Sequence, residues 1–296
     1  MKILVLGAGG LAGSAIMRAL QAEGHTLSGT CRAPADHDGS TAMFRLDLSE
    51  PQSIVPLLEQ VRPDAVVSCL RGDFNCQLEA HGLMADALRR QNGVLVYLSS
   101  ANVFDGDLSR PHYEGDAPCS DSTYGQFKIA CERLLQDRLE QNCVILRPPE
   151  IWGRSCPRLH TLLEHTRAGR PIQTYENLSV NYTTDTQLAR WTAFILAHDL
   201  RGVFHVGTRD TYDYTAFLDR LAEGLGLPQP VYRVERNDTA AYQAVLPGRG
   251  EIPEDFQLSV KAALNYLSEG ACHKAEKAGP PSFDSGPVFD THTQPM

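Results

Sequence analysis

Short apolar runs alternate with amphipathic segments over the first half of the chain. An apolar run of about four to eight residues that ends at glycine or polar residues is typical of a strand buried on both faces of a sheet. Six such strands are predicted, at residues 2–7, 25–31, 43–48, 64–70, 93–100 and 143–149. Helices are predicted between them, at residues 14–22, 49–61, 78–91 and 124–141. This alternation predicts an α/β fold in which a parallel sheet carries helices on both faces.

The pattern changes after Pro149. Helices are predicted at residues 159–168, 185–198 and 214–225, with a strand at 202–207, whereas residues 169–184 are predicted to be irregular. Residues 270–296 are rich in Pro, Gly and Ser and lack periodicity, which predicts a flexible tail. The predicted organisation is therefore a first domain at residues 1–150, a smaller lobe at 151–269 that also completes the sheet, and the tail.

Composition and charge are those of a globular protein. Of the 296 residues, 42% are hydrophobic and 21% are charged, and the net charge is −9. An acidic chain is not expected to bind nucleic acid, which needs a basic face, although a local basic pocket for a phosphate stays open. No apolar run approaches the ~20 residues of a membrane helix, and the run from Ile3 to Leu6 is too short for a signal peptide. Eight cysteines without a CxxC pair indicate free thiols and a cytoplasmic location.

A glycine triplet follows the first predicted strand. Gly7, Gly10 and Gly13 form GxxGxxG where that strand ends and the first helix begins. Glycine allows the tight turn, the close approach of a diphosphate to the backbone and the packing of helix on strand. The helix start then offers unpaired N–H groups to the phosphates. The triplet therefore predicts a dinucleotide site, with Leu11 among its contacts.

The end of the second predicted strand bears on the choice of dinucleotide. An NAD site usually has an acidic residue there to hold the ribose hydroxyls, but this strand ends in Thr30 and Cys31 and is followed by Arg32. A guanidinium can pair with a 2′-phosphate, so NADP(H) is favoured and NAD(H) stays an alternative, although Arg32 could also be a solvated loop residue. Asp47 and Leu48, after the third strand, are candidate adenine contacts, although Asp47 could equally cap the next helix.

The sequence YGQFK places Tyr124 and Lys128 four residues apart. On a helix these side chains share a face, and a nearby cation is expected to lower the pKa of the phenol. Tyr124 could then exchange a proton with a carbonyl oxygen while Lys128 reaches the ribose of the cofactor. A second donor to that oxygen is expected at the end of the fifth strand, where Ser99 and Ser100 lie at the sheet edge that binds ligands in such folds.

These motifs resemble the extended short-chain dehydrogenase/reductase superfamily, and within it most closely the dTDP-4-dehydrorhamnose reductase group. The resemblance is carried by YLSSANVFDG, the YGQFK motif, VILRPPEIWG, NYTTDTQLAR and GVFHVGTRDTYDYTAFLDRLAEGLG, and it covers roughly residues 1–230. It implies a Rossmann-type, doubly wound parallel sheet with a small C-terminal substrate-binding lobe. It also implies a catalytic set of Ser100, Tyr124 and Lys128, and an enzyme that reduces a carbonyl, with a nucleotide-linked keto-sugar as substrate.

The chain departs from the group's pattern at several positions. Ala101 and Asn102 replace the usual Asp and Tyr, and Leu70 and Arg71 stand near the expected cofactor path. Two alternatives therefore stay open. One is a non-catalytic NADP-binding regulatory protein similar to the regulatory subunit of methionine adenosyltransferase. The other is a sugar-nucleotide epimerase or dehydratase of the same superfamily. A homodimer is also left open.

Two further clusters follow the sixth strand. Cys156, His160, Glu164 and His165 are close in sequence, but they lack a metal-binding pattern and are interpreted as ordinary polar residues of a helix. Arg154 and Arg158 could hold a substrate diphosphate, or could be solvated surface residues.

Overall fold

A computed structural model of the chain describes residues 1–32 and 41–269. Its strands are β1 (Lys2–Leu6), β2 (Thr26–Cys31), β3 (Ala42–Arg45), β4 (Ala65–Ser68), β5 (Val94–Leu98), β6 (Cys143–Arg147), β7 (Glu150–Trp152), β8 (Ile172–Val180), β9 (Tyr182–Thr184), β10 (Gly202–His205), β11 (Tyr212–Asp213) and β12 (Tyr232–Gln243). Its helices are α1 (Leu11–Ala22), α2 (Ile54–Val61), α3 (Phe74–Arg90), α4 (Thr123–Leu139), α5 (Pro157–Arg167), α6 (Asp185–Ala197), α7 (Tyr214–Gly224) and α8 (Val260–Glu269).

The centre of the molecule is a seven-stranded parallel sheet. Its strand order is β10-β6-β5-β4-β1-β2-β3, and every neighbouring pair is parallel. From β1 the chain continues outward to β2 and β3 on one side of the sheet, and from β4 it continues to β5 and β6 on the other side. The strand order therefore reverses between the neighbouring strands β1 and β4. In open sheets of this kind, ligands bind at the carboxyl ends of the strands beside the reversal. The predicted doubly wound parallel sheet is confirmed, and its topology puts a binding crevice next to the end of β1.

Helices cover both faces of this sheet. On one face α1 and α6 pack together, and buried side chains such as Ile16 and Trp191 fill the layer beneath them. On the other face lie α2, α3 and α4, over a core that includes Leu58, Met84 and Leu135. Burial of apolar side chains on both faces explains why the central strands read as nearly continuous apolar runs.

The small lobe has its own apolar core. Strands β11, β8 and β12 form a three-stranded sheet, and β7 pairs with β9. Trp152, Tyr182 and Phe217 are buried there, with the rings of Tyr182 and Phe217 stacked 3.7 Å apart. The prediction that residues 169–184 are irregular was wrong, because β8 and β9 occupy most of that segment. Strand β8 carries exposed polar residues such as Glu176 and Asn177, which hide its strand character in the sequence.

The chain passes between the two parts more than once. After β9 it returns to the central sheet, where α6 packs on α1 and β10 pairs with β6. It then re-enters the small lobe through β11 and α7. The predicted tail at 270–296 lies outside the described residues. In the part of the chain that is described, no helix is both long enough and apolar enough to cross a membrane.

Candidate active site

The glycine turn joins β1 to α1. Gly7 has φ +73°, a conformation that favours glycine, and a Cβ atom there would lie 2.7 Å from the carbonyl oxygen of Cys69. A Cβ atom at Gly13 would lie only 2.2 Å from the carbonyl oxygen of Gly7. These two glycines are therefore required by the packing of strand and helix, as the sequence predicts for a dinucleotide-binding turn.

The first turn of α1 has the features of a diphosphate site. Gly10 precedes the helix, no side chain caps the helix start, and the first turn has no acidic residue. Gly9 and Gly10 are exposed, and a Cβ atom at Gly9 would meet nothing within 4 Å. The free N–H groups and the positive end of the helix dipole therefore face an open space that suits an anion. Leu11 faces the small lobe, 2.8 Å from the position that a Cβ atom of Gly153 would take.

Arg32 and Asp47 lie near each other after β2 and β3. Arg32 is exposed. The Asp47 carboxylate accepts hydrogen bonds from the backbone N–H and the hydroxyl of Ser49, at 3.0 and 2.9 Å. These bonds lower the pKa of Asp47, and the nearby charges of Arg45 and Arg32 add to the effect. The carboxylate thus stabilises the turn before α2, but the predicted alternative of a helix cap is wrong, because the cap position of α2 is Ser53. Leu48 packs beside the loop that follows β4, 3.7 Å from the position that a Cβ atom of Gly72 would take.

Tyr124 and Lys128 are both on α4, which begins at Thr123 with Ser122 as its cap. Lys128 is buried, and its ammonium donates a hydrogen bond to the carbonyl oxygen of Leu98 at 2.9 Å. The ammonium nitrogen is 5.7 Å from the centre of the Tyr124 ring. Burial lowers the pKa of Lys128 to about 8. The structure thus places an ammonium that titrates near neutral pH beside the half-buried phenol.

Ser100 completes this group at the end of β5. Its hydroxyl donates to Asn102 Oδ1 at 3.0 Å and accepts from the Asn102 backbone N–H at 3.2 Å. Burial raises the pKa of Tyr124, while a hydrogen bond with Ser100 and the charges of Arg71 and Arg158 act to lower it. The net shift is upward, so the expectation of a lowered pKa differs from the structure. The physical reason is that desolvation of the phenol outweighs the nearby cations, and the Lys128 ammonium is directed at the Leu98 carbonyl.

Cys69, just after β4, lies between the glycine turn and this group. Its carbonyl oxygen abuts Gly7, and the charge of Lys128 acts on its thiol, opposing the burial that raises the thiol's pKa to about 12. The predicted cofactor turn and the predicted catalytic residues therefore converge on one strand end. Arg71, two residues further on, is exposed and also acts electrostatically on Tyr124 and Lys128. In the sequence, Arg71 stands out only as a departure from the pattern of the reductase group.

The two candidate diphosphate arginines have different surroundings. Arg158, on α5, pairs with Glu150 at 3.3 Å and acts on the Tyr124 phenol. Arg154 donates to the carbonyl oxygen of Tyr266 at 2.9 Å and lies over the Tyr266 ring. Only Arg158 of this pair is brought to the site, while Arg154 is held against α8.

The cysteine and histidine cluster has structural contacts. Cys156 is buried and its sulfur accepts from the backbone N–H of Leu159 at the start of α5. His165 bonds to the carbonyl oxygen of Pro171. Within residues 1–32 and 41–269, no group of three or more His, Cys, Asp or Glu side chains is arranged to hold a metal ion. The seven cysteines that lie in those ranges are free thiols.

A buried ion pair beneath the site was missed by sequence reasoning. Glu132, four residues after Lys128, pairs with Arg147 at 2.6 Å and accepts a hydrogen bond from Ser99. The available signal was a carboxylate on the same helix face as Lys128, since residues four apart on a helix are neighbours.

Comparison with known proteins places this geometry in a family. The profile of the RmlD substrate binding domain matches residues 1–248. The chain is 31% identical over 268 residues to a dTDP-4-dehydrorhamnose reductase of Burkholderia thailandensis, which covers 82% of this chain and 86% of that protein.

Solved structures show the same fold. A Bacillus anthracis dTDP-4-dehydrorhamnose reductase in complex with NADP superposes with a TM-score of 0.73 at 18% identity, covering 90% of this chain and 98% of that one. A Thermus thermophilus UDP-glucose 4-epimerase in complex with NAD superposes with a TM-score of 0.77 at 19% identity, covering 93% and 100%. The resemblance read from the motifs is confirmed: the chain belongs to the RmlD substrate binding domain family, within the extended short-chain dehydrogenase/reductase superfamily.

Proposed function

We propose that this protein is an NADP(H)-dependent reductase of a carbonyl group on a nucleotide-linked keto-sugar. The observation that carries the proposal is the convergence of Ser100, Tyr124 and Lys128 on the strand ends beside the open glycine turn. The family relatives named as dTDP-4-dehydrorhamnose reductases support the same reaction class.

Each of the three residues has a distinct role in this proposal. Tyr124 gives a proton to the carbonyl oxygen of the substrate, or takes one in the reverse direction. Ser100 donates a second hydrogen bond to that oxygen, and to do so it turns its hydroxyl away from Asn102. Lys128 keeps a positive charge near the phenol and contacts the cofactor ribose. The bound nicotinamide supplies the hydride.

The cofactor is held by this chain's own residues at two places. The first turn of α1 binds the diphosphate, because its N–H groups are free and unobstructed. Arg32 pairs with a 2′-phosphate, which is why NADP(H) is proposed ahead of NAD(H). The structural neighbours include complexes with NADP and with NAD. These complexes support a nicotinamide dinucleotide as the cofactor, and the 2′-phosphate preference rests on Arg32.

Substrate binding is proposed at the junction with the small lobe. Arg158 lies on α5 of that lobe and acts on the Tyr124 phenol, so an anionic group of the substrate can be held there while the carbonyl reaches Tyr124. A diphosphate is the anion that a sugar nucleotide would offer. The predicted cytoplasmic location and a homodimer stay predictions, the latter to be measured by light scattering.

A turnover assay tests the proposal. The protein is mixed with NADPH and a panel of 4-keto-sugar nucleotides, and NADPH absorbance and sugar products are followed together. Loss of NADPH with formation of a reduced sugar supports the reductase. Sugar conversion without net NADPH loss points to an epimerase or dehydratase. NADPH binding without turnover on any substrate contradicts the reductase and favours a non-catalytic regulatory protein.

A further inference from the structure

A chain of buried polar side chains runs beneath the candidate active site. Ser99 donates to Glu132 Oε1 at 2.5 Å, and Arg147 donates to both carboxylate oxygens of Glu132, at 3.0 and 2.6 Å. Arg147 also approaches His205 Nε2 at 3.5 Å. Ser99, Glu132, Arg147 and His205 are each less than 5% exposed. These four side chains join the ends of β5, β6 and β10 to the middle of α4.

Two of these four buried residues lie next to the residues proposed to act in the reaction. Ser99 directly precedes Ser100, and because side chains alternate along an extended backbone it turns inward, toward α4. Glu132 follows Lys128 by one helical turn, on the same buried face. Lys128 donates a hydrogen bond to the Leu98 carbonyl, and Glu132 accepts one from Ser99. One face of α4 is therefore hydrogen-bonded to the two consecutive residues just before Ser100.

Fold stability alone does not explain a fully buried ion pair. Desolvation of two charges is costly, and replacing such a pair by apolar residues of similar size is often neutral or stabilising. An apolar pair would pack here against Phe104, whose ring already lies 5.1 Å from the Arg147 guanidinium. What an apolar pair cannot supply is a fixed hydrogen bond to Ser99 and a negative charge one turn from Lys128.

We propose that Glu132 is a positioning residue of the active site. It fixes the strand end that carries Ser100 relative to Tyr124 and Lys128, and its charge keeps the Lys128 side chain in the ammonium form. Arg147 holds the Glu132 carboxylate in place through two hydrogen bonds, and neither residue touches the substrate. The inference rests on the proposed function, because it assigns Lys128 a role that requires its positive charge.

The electrostatic part has a definite sign. Burial lowers the pKa of Lys128, while Cys131 and, after it, Glu132 act in the opposite direction and raise it. The charged or titratable groups that face the ammonium come from β5, α3, α4 and the segment after β4; they are Tyr97, His81, Tyr124, Cys131, Glu132, Cys69 and Arg71. Within the described residues, Glu132 is the carboxylate in this set. Removing its charge should therefore lower the pKa of Lys128 further.

The test compares four variants of the full chain. Glu132→Gln removes the charge and keeps the shape, and Glu132→Gln/Arg147→Met also removes the buried cation that would otherwise be left unpaired. Ser99→Ala removes one hydrogen bond and keeps the charge. Asp86→Asn is the matched control, because it neutralises a carboxylate of the surface ion pair between α3 and α4, 2.7 Å from Arg138. For each variant, kcat/KM is measured from pH 6 to 8.5, together with NADPH affinity.

We expect both Glu132 variants to lose more activity at high pH than at low pH. With the wild-type pKa of Lys128 at about 8, a tenfold loss of proton affinity in the variant makes the ratio of wild-type to variant kcat/KM grow by about 7-fold between pH 6 and 8.5. Ser99→Ala should lower kcat by about 3- to 10-fold with the wild-type pH dependence. Asp86→Asn should match the wild type. A ratio that is constant with pH in both Glu132 variants, or an unchanged kcat in Ser99→Ala, overturns the corresponding part of the inference.

A second measurement does not depend on turnover. The chain has five lysines, so the Nζ signal of Lys128 can be assigned in lysine-labelled protein by comparison with Lys128→Met and titrated by NMR. A lowered Lys128 pKa in Glu132→Gln supports the inference even if no substrate in the panel is reduced. An unchanged pKa contradicts it whatever the activity.

Discussion

A Cβ atom on Gly125 would lie 2.3 Å from the carbonyl oxygen of Asn102. The start of α4 therefore packs against the backbone of the turn that follows Ser100, and the Ser120 side chain lies at the same contact. Asp105 in the same segment binds the hydroxyls of Ser120 and Ser122, and Ser122 caps α4. The nearness of Tyr124 to Ser100 is thus fixed by backbone packing, which sets the geometry on which the following predictions depend.

Replacing Tyr124 by Phe should abolish most turnover. The variant loses the phenol that is proposed to transfer the proton, so kcat should fall by about 10²-fold or more. The ring still packs against Phe74, 5.9 Å away, and NADPH affinity should stay within about 3-fold of wild type. Stopped-flow turnover and fluorescence titration with NADPH measure the two quantities. Equal turnover in the variant would remove Tyr124 from the mechanism.

The glycine turn offers a pair of contrasting variants. A Cβ atom at Gly10 has only the Gly7 carbonyl oxygen near it, at 3.4 Å, so Gly10→Ala should fold with a Tm within a few degrees of wild type. The methyl group would stand in the proposed diphosphate path, and the Kd for NADPH should rise by about 10-fold or more. Gly13→Ala should instead lower the Tm strongly, because its Cβ collides with backbone. Normal NADPH affinity in Gly10→Ala would place the cofactor elsewhere.

Arg32→Ala should change the cofactor preference. Loss of the guanidinium removes the proposed partner of the 2′-phosphate, so the Kd for NADPH should rise by about 10-fold while that for NADH changes by less than about 2-fold. Isothermal titration with both cofactors measures the difference. Arg18→Ala is the control, because Arg18 is exposed about two helical turns beyond the glycine turn. An unchanged preference in Arg32→Ala would show that the 2′-phosphate binds to other residues.

The two arginines of the small lobe should differ in their effect on substrate. Arg158→Ala is expected to raise KM for a sugar nucleotide by about 10-fold, because Arg158 lies close enough to Tyr124 for its charge to act on the phenol. Arg154→Ala should leave KM within about 2-fold, since Arg154 is bound to Tyr266. Initial-rate kinetics at saturating NADPH measure both values. The same KM in the two variants would show that the substrate diphosphate does not bind at α5.

Fold stability should fall in mild acid because of two buried histidines. Burial lowers the pKa of His81 and of His205 to about 3, whereas the unfolded chain takes up these protons near pH 6.5. The unfolded state therefore binds more protons below pH 6.5, and stability is lost as the pH falls, by about 1.4 kcal/mol per pH unit for each histidine.

Urea unfolding of His81→Gln between pH 6 and 5 checks this slope. The slope of the free energy of unfolding against pH should be smaller in the variant than in the wild type by about 1.4 kcal/mol per pH unit, because one of the two histidines is absent. His198→Gln, at an exposed position, should keep the wild-type slope. A slope in His81→Gln equal to that of the wild type would show that His81 accepts its proton in the folded protein.

The central sheet is predictable from the sequence because its strands are buried on both faces and appear as apolar runs. The ends of helices are harder to locate. The first helix was expected to begin at Ser14, but Leu11 already lies in it, because Gly10 starts the helix without a polar cap. The third was expected at Leu78 but begins at Phe74, with Asp73 as its cap, in a stretch whose polar residues hide the helical period.

The site is predictable to the extent that it consists of local motifs. The glycine turn and the pair Tyr124 and Lys128 are each set by spacing along one element. The contacts of Arg158 and the link from Ser99 through Glu132 to Arg147 join residues that are distant in sequence, and no local period carries that information. The pKa of Tyr124 was misjudged for the same reason, because burial of the phenol depends on tertiary packing.

The return of the chain through α6 and β10 has a consequence for any attempt to isolate the nucleotide-binding half. A fragment that stops at Pro149 would lack Trp191 and Phe204, leaving bare the outer edge of β6 and the side of α1 that packs on α6. Such a piece should aggregate instead of folding. Conversely, proteolytic nicking within the small lobe should leave both products associated, because the downstream product still contributes a strand and a helix to the central layer.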